Sequence, residues 1–190
     1  MWFLTRGLID RGQSGKLFFM HPHDLPVNAE VAILTVSDTR SIEDDQSGDQ
    51  IAELLKVADH RVARRSIVHD EQNEIATAVS KWAASSEIDV IIITGGTGSS
   101  PRDVTPEAVL PLLASNLPGF GELFRQLSYE QIGAAAMQSR ADAGWIDAGP
   151  LRTPVFLLPG SPKAVDLAME NLIIPQLSHL LAVCRGKKTI

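Results

Sequence analysis

The chain has 190 residues, 44% of them hydrophobic, and a formal net charge of -6 at pH 7. This length is enough for one sizeable α/β core and too short for two comfortable domains. The acidic balance disfavours a nucleic-acid-binding surface, and the single cysteine, Cys184, excludes an intrachain disulfide framework and a cysteine-cluster metal site.

Residues 1–28 form an N-terminal extension that mixes charged and apolar residues and has neither a signal-type apolar core nor a small-residue cleavage site. We expect this extension to be flexible or an artefact of the assigned start, and a folded domain over residues 29–190. An amphipathic arm that binds a partner is the alternative. No continuous apolar run reaches the length of a membrane span, so a soluble protein of a reducing, cytoplasmic compartment is expected.

Apolar and amphipathic segments then alternate along the chain. Strands are predicted over residues 31–37, 61–68 and 90–93, and helices over residues 47–56 and 73–84. Ser47, with Gln50 three residues later, predicts a capping box at the start of the first helix. This βαβ order is typical of a parallel sheet covered by helices.

The second half of the chain predicts further helices, over residues 106–113, 119–128, 162–173 and 175–183. Between them, residues 144–148 and 153–158 flank a Gly-Pro turn and are predicted to form an antiparallel pair of strands. The fold expected is therefore α/β, a three-layer αβα arrangement with a mostly parallel, mixed sheet. Cys184, in the apolar stretch LLAVC, is expected to pack in the core.

The stretch VIIITGGTGSSPRDVTP, residues 90–106, runs a buried-type strand into a glycine turn and then into a helix start. Its glycines, Gly95, Gly96 and Gly98, permit positive φ and let backbone N–H groups approach a ligand, while Thr and Ser residues supply hydroxyl donors. Such a turn suits anions. It is not a Walker A loop, because no Lys-Ser or Lys-Thr follows the last glycine.

Asp103 lies in the same stretch. Thr105 as N-cap and Pro106 at the first helical position already start the next helix, so the Asp103 carboxylate is expected to be free. A carboxylate beside a phosphate site is repulsive unless a divalent cation lies between them, which indicates Mg²⁺ and phosphoryl or nucleotidyl chemistry. The alternative is a tight βα turn whose acid braces the loop.

Polar or glycine-rich residues follow the carboxyl ends of four predicted strands. In open α/β sheets the ligand crevice lies along that edge, so these segments are expected to face one site. The alternative is that strand exits are polar because loops are polar. The segments are Ser37 with Asp38, His69 with Asp70, Thr94 to Gly98, and Pro159 to Ser161.

Four segments, TGGTGSSPRDVTPEAV, LPGFGELFRQLS, SRADAG and FLLPGSPKAV, resemble in this order the MoaB/MogA family of molybdenum cofactor biosynthesis proteins. The resemblance covers roughly residues 29–185, and the LPGS segment with its following helix is more similar to the MoaB branch. Because the resemblance begins only near Ala29, Met20 is a candidate for the initiator methionine.

Membership of this family implies a molybdopterin-binding domain that adenylylates molybdopterin. In that reaction ATP and the dithiolene pterin give adenylylated molybdopterin and pyrophosphate, and the Mg²⁺ indicated by Asp103 is the metal expected to assist. A separate, MoeA-type partner inserts molybdate later. The family forms trimers, and the MoaB branch hexamers, so a homohexamer is predicted, with a trimer as the alternative.

The resemblance also implies roles for residues. Asp70 and Asp103 match the family's catalytic acids and are expected to position Mg²⁺ and the α-phosphate. For Asp70 the alternative is a cap for the helix near Glu71, although Asn73 leaves a capping box incomplete. The expected substrate- and nucleotide-binding residues are Ser37, Asp38, Thr94, Gly95, Gly96, Thr97, Gly98, Gly160 and Ser161. Ser161 also suits an N-cap before Pro162.

Several residues have two interpretations. Arg102 and Arg140 either contact phosphate or brace loops through carboxylates, and bracing is favoured. His69 either tunes the site or is structural, the commoner case. One loop either contacts substrate or is only a solvated acidic loop, and its acidic residues are Asp38, Glu43, Asp44 and Asp45. Apolar residues at helical spacing, either an interface or core, are Phe120, Leu123, Phe124 and Leu127.

Three function classes follow: a molybdopterin adenylyltransferase, a MoaB paralogue that binds pterin or nucleotide without turnover, and a gephyrin-like interaction module. Asp70 and Asp103 discriminate between them, because a dead site would be expected to lose an acid or the glycine turn. Both acids and the turn are intact, which favours the enzyme.

Overall fold

The structure, a computed structural model, describes residues 9–11, 17–19, 27–148 and 152–185. Two short strands of the N-terminal extension, β1 (Ile9–Arg11) and β2 (Leu17–Phe19), pair antiparallel with each other. The domain boundary at residue 29 stays a prediction. Met20 and the predicted Gly-Pro turn at 149–150 lie outside the described residues.

The main sheet contains β3 (Glu30–Val36), β4 (Arg61–Val68), β5 (Val90–Thr94), β6 (Ser115–Asn116), β7 (Asp142–Asp147) and β8 (Arg152–Leu158). In the part of the chain that the structure describes, its strand order is β4-β3-β5-β8-β7-β6. Strands β4, β3, β5 and β8 are parallel neighbours, whereas β7 is antiparallel to both β8 and β6. The predicted mixed, mostly parallel sheet is confirmed.

The helices are α1 (Gln46–Val57), α2 (Gln72–Ala83), α3 (Thr105–Val109), α4 (Pro118–Ile132), α5 (Pro162–Ala168) and α6 (Ile174–Cys184). Short 3-10 turns cover Ile42–Asp44, Leu110–Leu112 and Gly133–Gln138. A π-helical turn, Met169–Ile173, joins α5 to α6. Pro175 lacks an N–H, and the wider turn before it lets the helix continue where the sequence predicted two helices.

Alternating apolar residues of the central strands fill two cores, one on each face of the sheet. On β3, Val31 and Ile33 enter the core under α1, α4, α5 and α6, while Ala32 and Leu34 enter the core under α2 and α3. The strand period of two puts neighbouring side chains on opposite faces, so a central strand that is apolar throughout must be covered twice. The three-layer αβα fold is therefore confirmed.

Core packing also accounts for part of the apolar row on α4. Phe120 and Phe124 are buried in the first core, and Phe120 makes an edge-on contact with Phe156, with ring centroids 5.2 Å apart. For these two residues the core alternative is confirmed. Leu127 is half-buried, whereas Leu123 is 50% exposed and is left on the surface.

The C-terminal helical run, Pro162–Cys184, is long and apolar enough by length and composition to cross a membrane. Its residues Val165, Met169 and Leu177 are fully buried against the sheet, as expected for a helix that covers a core. Cys184 at its end is buried, as predicted. Arg185 then contacts Asp89, just before β5, at 2.5 Å.

Two helix starts differ from the prediction. Asp45, not Ser47, caps α1, because its carboxylate accepts from the Gly48 N–H at 3.0 Å. Val104 occupies the N-cap position of α3, and Thr105 lies within the first turn. In both cases the hydroxyl expected to cap a helix has a distant backbone carbonyl as its partner.

Candidate functional site

A cleft of about 620 Å³ opens at the carboxyl ends of β4, β3, β5 and β8. These four strands are parallel neighbours, so the segments that leave them converge on one edge of the sheet. The structure brings together the residues that were predicted to be catalytic or to bind substrate and nucleotide, since each of them lines this cleft: Ser37, Asp38, Asp70, Thr94, Gly95, Gly96, Thr97, Gly98, Asp103, Gly160 and Ser161.

The glycine turn after β5 adopts a conformation that side chains would obstruct. Gly95 has φ of 104° and Gly96 has φ of 63°. A β-carbon on Gly95 would lie 2.2 Å from the carbonyl oxygen of Val36 at the end of β3. Gly98 does not use the positive φ that a glycine permits, so the left-handed backbone of this turn is confined to the first two glycines.

Hydroxyl groups of the turn are partly committed to the fold. The buried Thr94 hydroxyl donates to the carbonyl oxygen of Pro159 at 3.0 Å. The Ser161 side chain accepts from the Ala164 N–H at 3.2 Å, which confirms its predicted role as N-cap of α5. Thr94 therefore ties the end of β5 to the end of β8. The turn's hydroxyls were predicted to donate to a ligand, but the Thr94 hydroxyl donates to the protein backbone instead.

Asp70 lies beside the glycine turn, where a β-carbon built on Gly96 would come within 3.0 Å of Asp70 Oδ1. Partial burial raises the pKa of the Asp70 carboxyl, and the negative charges of Asp38 and Asp103 raise it further. The alternative role as a helix cap is wrong, because Glu71 occupies the N-cap position of α2 and makes no side-chain cap hydrogen bond.

Asp103 is not free, contrary to the prediction. Its Oδ2 accepts from the Ser100 N–H at 2.9 Å, so the carboxylate braces the turn in which it lies. A β-carbon on Gly98 would stand 2.9 Å from the same oxygen, which sets this carboxylate against the glycine turn as well. Bracing and ligand binding are compatible here, because Oδ1 has no hydrogen-bond partner among the described residues.

The two arginines predicted to brace loops do so. Arg102 donates to Asp38 at 2.8 Å and to Glu71 at 3.0 Å. Hydrogen bonds from Arg102, and then from the Asp70 N–H, lower the pKa of the Asp38 carboxyl. Asp38 is thereby held as an anion next to Asp70.

Arg140 connects the glycine turn to the Asp103 turn. Its Nε donates to the Gly98 carbonyl oxygen at 2.7 Å, and its Nη2 donates to the Asp103 carbonyl oxygen at 2.6 Å. Glu107 forms an ion pair with the same guanidinium. The backbone of both turns is therefore fixed from outside the cleft. His69 lies at the surface, with its ring 3.3 Å from Glu74, and does not line the cleft.

The sequence interpretation missed a buried charge below the cleft. Asp45, grouped with a loop expected either to contact substrate or to be solvated, is fully buried, whereas Glu43 and Asp44 are exposed. Its Oδ2 accepts from the Thr35 hydroxyl at 2.7 Å and from Arg65 at 2.9 Å. Burial acts to raise the pKa of Asp45, but these hydrogen bonds and that from the Gly48 N–H outweigh it and lower the pKa. The available signal was a threonine inside the apolar strand β3.

Arg40 was also missed. It follows β3, lines the cleft, and donates from Nη1 to the Ser47 hydroxyl oxygen at 3.3 Å. Ser47 is fully buried and donates in turn to the carbonyl oxygen of Gly160 at 2.9 Å. Nothing in the local sequence pattern singles out this arginine, because its partners lie on α1 and after β8.

The donor set of the cleft suits a hard cation only in part. Within residues 27–148 and 152–185, no cluster of three or more His, Cys, Asp or Glu side chains could hold a metal ion. Asp70 and Asp103 supply carboxylate oxygens from two strand exits, and Mg²⁺ typically takes one or two carboxylates with the rest from water and phosphate. These residues fit Mg²⁺ that arrives with a phosphorylated ligand.

The fold and the cleft define an αβα protein with an open cleft at the carboxyl edge of its sheet. Residues 32–179 match the family model described as "Probable molybdopterin binding domain". The chain is 44% identical over 169 residues to molybdenum cofactor biosynthesis protein B of Bacillus subtilis (strain 168), which covers 88% of this chain and 97% of that protein.

Solved structures of related proteins have the same fold as this chain. A crystal structure of molybdenum cofactor biosynthesis protein B matches with a TM-score of 0.80 and 44% identity, over 86% of this chain and 99% of that one. The tungsten cofactor synthesizing protein MoaB from Pyrococcus furiosus matches with a TM-score of 0.76 and 37% identity, over 85% and 99%. The chain belongs to the MoaB/MogA family of molybdenum cofactor biosynthesis proteins, as the sequence motifs predicted.

Proposed function

We propose that this protein adenylylates molybdopterin with Mg²⁺ and ATP. The observation that carries the proposal is the approach of two carboxylates, Asp70 and Asp103, to the same glycine turn, at 3.0 Å and 2.9 Å from the β-carbon positions of Gly96 and Gly98. Backbone N–H groups of such a turn attract phosphate, and carboxylates repel it. The two features act together only if a cation binds between them.

Partial burial and like charge support this interpretation. The raised pKa of Asp70 reflects a carboxylate that is partly buried and repelled by Asp38 and Asp103. Mg²⁺ held by Asp70 and Asp103 would neutralise charge on the phosphates. Asp38 is a weaker candidate for the metal, because its carboxylate already forms an ion pair with Arg102. Asp70 and Asp103 are therefore the acids assigned to the metal.

In the proposed reaction, an oxygen of the molybdopterin phosphate attacks the α-phosphorus of ATP. The bond between the α-phosphorus and the oxygen that bridges to the β-phosphate breaks, and pyrophosphate leaves with that electron pair. The protein contributes position and charge: the glycine turn offers N–H donors, and Arg140 fixes the carbonyl groups of Gly98 and Asp103. No side chain has to form a covalent bond.

The product would be passed to a separate, MoeA-type partner for molybdate insertion, in the cytoplasm. We propose that the protein acts as a homo-oligomer, a hexamer or a trimer. A paralogue that binds pterin or nucleotide without turnover is the competing function, and the same cleft would serve it.

The test is incubation of the protein with molybdopterin, ATP and Mg²⁺, followed by separation of adenylylated pterin and pyrophosphate. We expect both products in equal amounts, and none when EDTA removes the metal. Binding of molybdopterin without either product would assign the binding-only function. An Arg152→Met variant loses a surface ion pair with Asp147 on β7. It is the control for removal of a positive charge away from the cleft and should give products at the normal rate.

A further inference from the structure

The charged side chains of the cleft differ in whether they already have a partner. Asp38 pairs with Arg102, and neither Arg102 nor Arg140 lines the cleft. Arg40 is the one arginine or lysine among the described residues that does line it. No carboxylate within the described residues forms an ion pair with Arg40. A cation at the wall of a ligand cleft, left without an acidic partner, is suited to an anionic group of the ligand.

The Arg40 side chain is nonetheless held in place. Its Nη1 donates to Ser47 Oγ at 3.3 Å, and Ser47, fully buried, donates to the Gly160 carbonyl oxygen at 2.9 Å. The Arg40 N–H donates to Ser37 Oγ at 3.2 Å, which fixes the backbone of the same loop. A guanidinium has five N–H donors, and the hydrogen bond to Ser47 uses one. The others are available to a ligand.

The two faces of the sheet separate Arg40 from the acids. Asp70 and Asp103 precede α2 and α3, which cover one face. Ser47, at the start of α1, ties Arg40 to Gly160, just before α5, and α1 and α5 cover the other face. The glycine turn after β5 lies between them, and a β-carbon on Gly160 would stand only 3.3 Å from the Gly95 Cα. The cleft therefore has an acidic side, suited to a metal and its phosphates, and a cationic side next to the glycine turn.

We propose that Arg40 binds the phosphate monoester of the pterin substrate and orients it as the attacking group. This inference rests on the proposed function, because it divides that reaction's two phosphorylated substrates between two sides of the cleft. In-line attack requires the attacking oxygen and the leaving pyrophosphate to lie on opposite sides of the α-phosphorus. Pyrophosphate leaves on the side of Asp70 and Asp103, and the attacking phosphate enters on the side of Arg40.

The test compares Arg40→Met with the unmodified protein by equilibrium binding of three ligands: molybdopterin, the same pterin after phosphatase treatment, and ATP with Mg²⁺. We expect Arg40→Met to weaken binding of molybdopterin about tenfold or more, since a hydrogen-bonded charge is lost. Binding of the dephosphorylated pterin and of ATP should change less than about twofold. Arg40→Lys keeps the charge without the planar fork and should restore part of the affinity.

Arg61→Met is the matched control, because it removes one positive charge from the outer strand β4, where Arg61 pairs with Glu30. It should leave all three affinities unchanged. Equal weakening for both pterins would overturn the proposal, and weakening for ATP alone would assign the phosphate contact to the nucleotide instead. A protein that binds molybdopterin but forms no product would refute adenylyl transfer, while the comparison of the two pterins would still decide the role of Arg40. Thermal midpoints of all variants establish that each is folded.

Discussion

The side-chain oxygen of Thr105 lies 2.3 Å from the point where a β-carbon on Gly96 would stand. The same hydroxyl donates to the carbonyl oxygen of Gly95 at 2.8 Å, and the Thr105 N–H donates to the Gly96 carbonyl oxygen at 3.0 Å. The first turn of α3 is thus bonded to the glycine turn at two points. The turn that faces the ligand cannot change shape without moving the helix.

Replacement of Gly96 by alanine should therefore disrupt both the turn and the start of α3. A left-handed φ of 63° is unfavourable for alanine, and its methyl group would overlap Thr105 Oγ1. We expect a loss of roughly 1–3 kcal/mol in the free energy of unfolding, measured by denaturant titration. Gly119→Ala is the control, since a β-carbon there meets nothing within 4 Å and α4 accepts alanine. Equal stability of the two variants would contradict this account.

Asp70→Asn should slow adenylyl transfer strongly without weakening the fold. Asp70 caps no helix, and removal of its charge relieves repulsion from Asp38 and Asp103. We expect the thermal midpoint to stay the same or rise, and adenylyl transfer in single-turnover assays to fall at least about a hundredfold, or about 2.7 kcal/mol. Glu71→Gln, at the neighbouring exposed position, is the control and should transfer adenylyl groups at a normal rate.

Asp103→Asn should show a similar loss of transfer with a small effect on stability. The amide oxygen of asparagine can still accept from the Ser100 N–H, so the turn keeps its brace, while the charge assigned to Mg²⁺ is lost. The measurement is the single-turnover rate at several Mg²⁺ concentrations, alongside the thermal midpoint. Full activity at saturating Mg²⁺ would remove Asp103 from the metal site.

Asp45→Asn should be among the most destabilising single changes in the first core. Both carboxylate oxygens of Asp45 accept from donors, and the amide of asparagine would turn an N–H group toward one of them. Breaking a buried ion pair costs roughly 3–5 kcal/mol; Arg65 keeps Asp49 as a partner, which favours the lower end. Denaturant unfolding measures the loss. Glu53→Gln, on the exposed face of α1, should change stability by no more than about 0.5 kcal/mol.

Protonation of His60 should lower stability in mild acid. Its Nδ1 accepts from the Ala29 N–H at 3.2 Å, which requires that nitrogen to be unprotonated, and burial lowers the pKa of the ring. The unfolded chain therefore binds more protons than the native one as pH falls through the ordinary histidine range of about 6.5. We expect the thermal midpoint to decrease as the pH is lowered below about 6.5, and we expect a smaller decrease in the His60→Gln variant. Identical pH profiles would exclude His60 as the cause.

The proposed homohexamer has a surface on which it can be tested. Apolar side chains of α4 and the 3-10 turn after it remain exposed, with Leu123 at 50%, Ile132 at 60% and Met137 at 81%. Light scattering at micromolar concentration should give a hexameric mass, and Leu123→Lys should reduce it if α4 contributes to the interface. A monomeric mass for the unmodified protein would reject the assembly.

Local sequence patterns were enough to predict most of the elements, though not the short strand β6, and the position of the cleft. The apolar run at residues 90–93 has no polar face, so it can only be a strand covered on both sides, and β5 is the centre of the sheet between β3 and β8. Parallel strands end at a common edge, so Asp70 and Asp103 could be assigned to one site before any contact was known. The apolar run and the polar residues that follow each strand are both recognised from residues that are close to one another in sequence.

Tertiary structure alone decided which polar groups are available to a ligand. Thr105 and Ser47 were predicted as caps, but their hydroxyls donate to Gly95 and to Gly160, the latter 113 residues away. Asp45 in an acidic run is buried because Thr35 and Arg65, 10 and 20 residues distant, satisfy its charge. A side chain's hydrogen bonds depend on what the folded chain places within 3.5 Å of it, and sequence spacing does not contain that information.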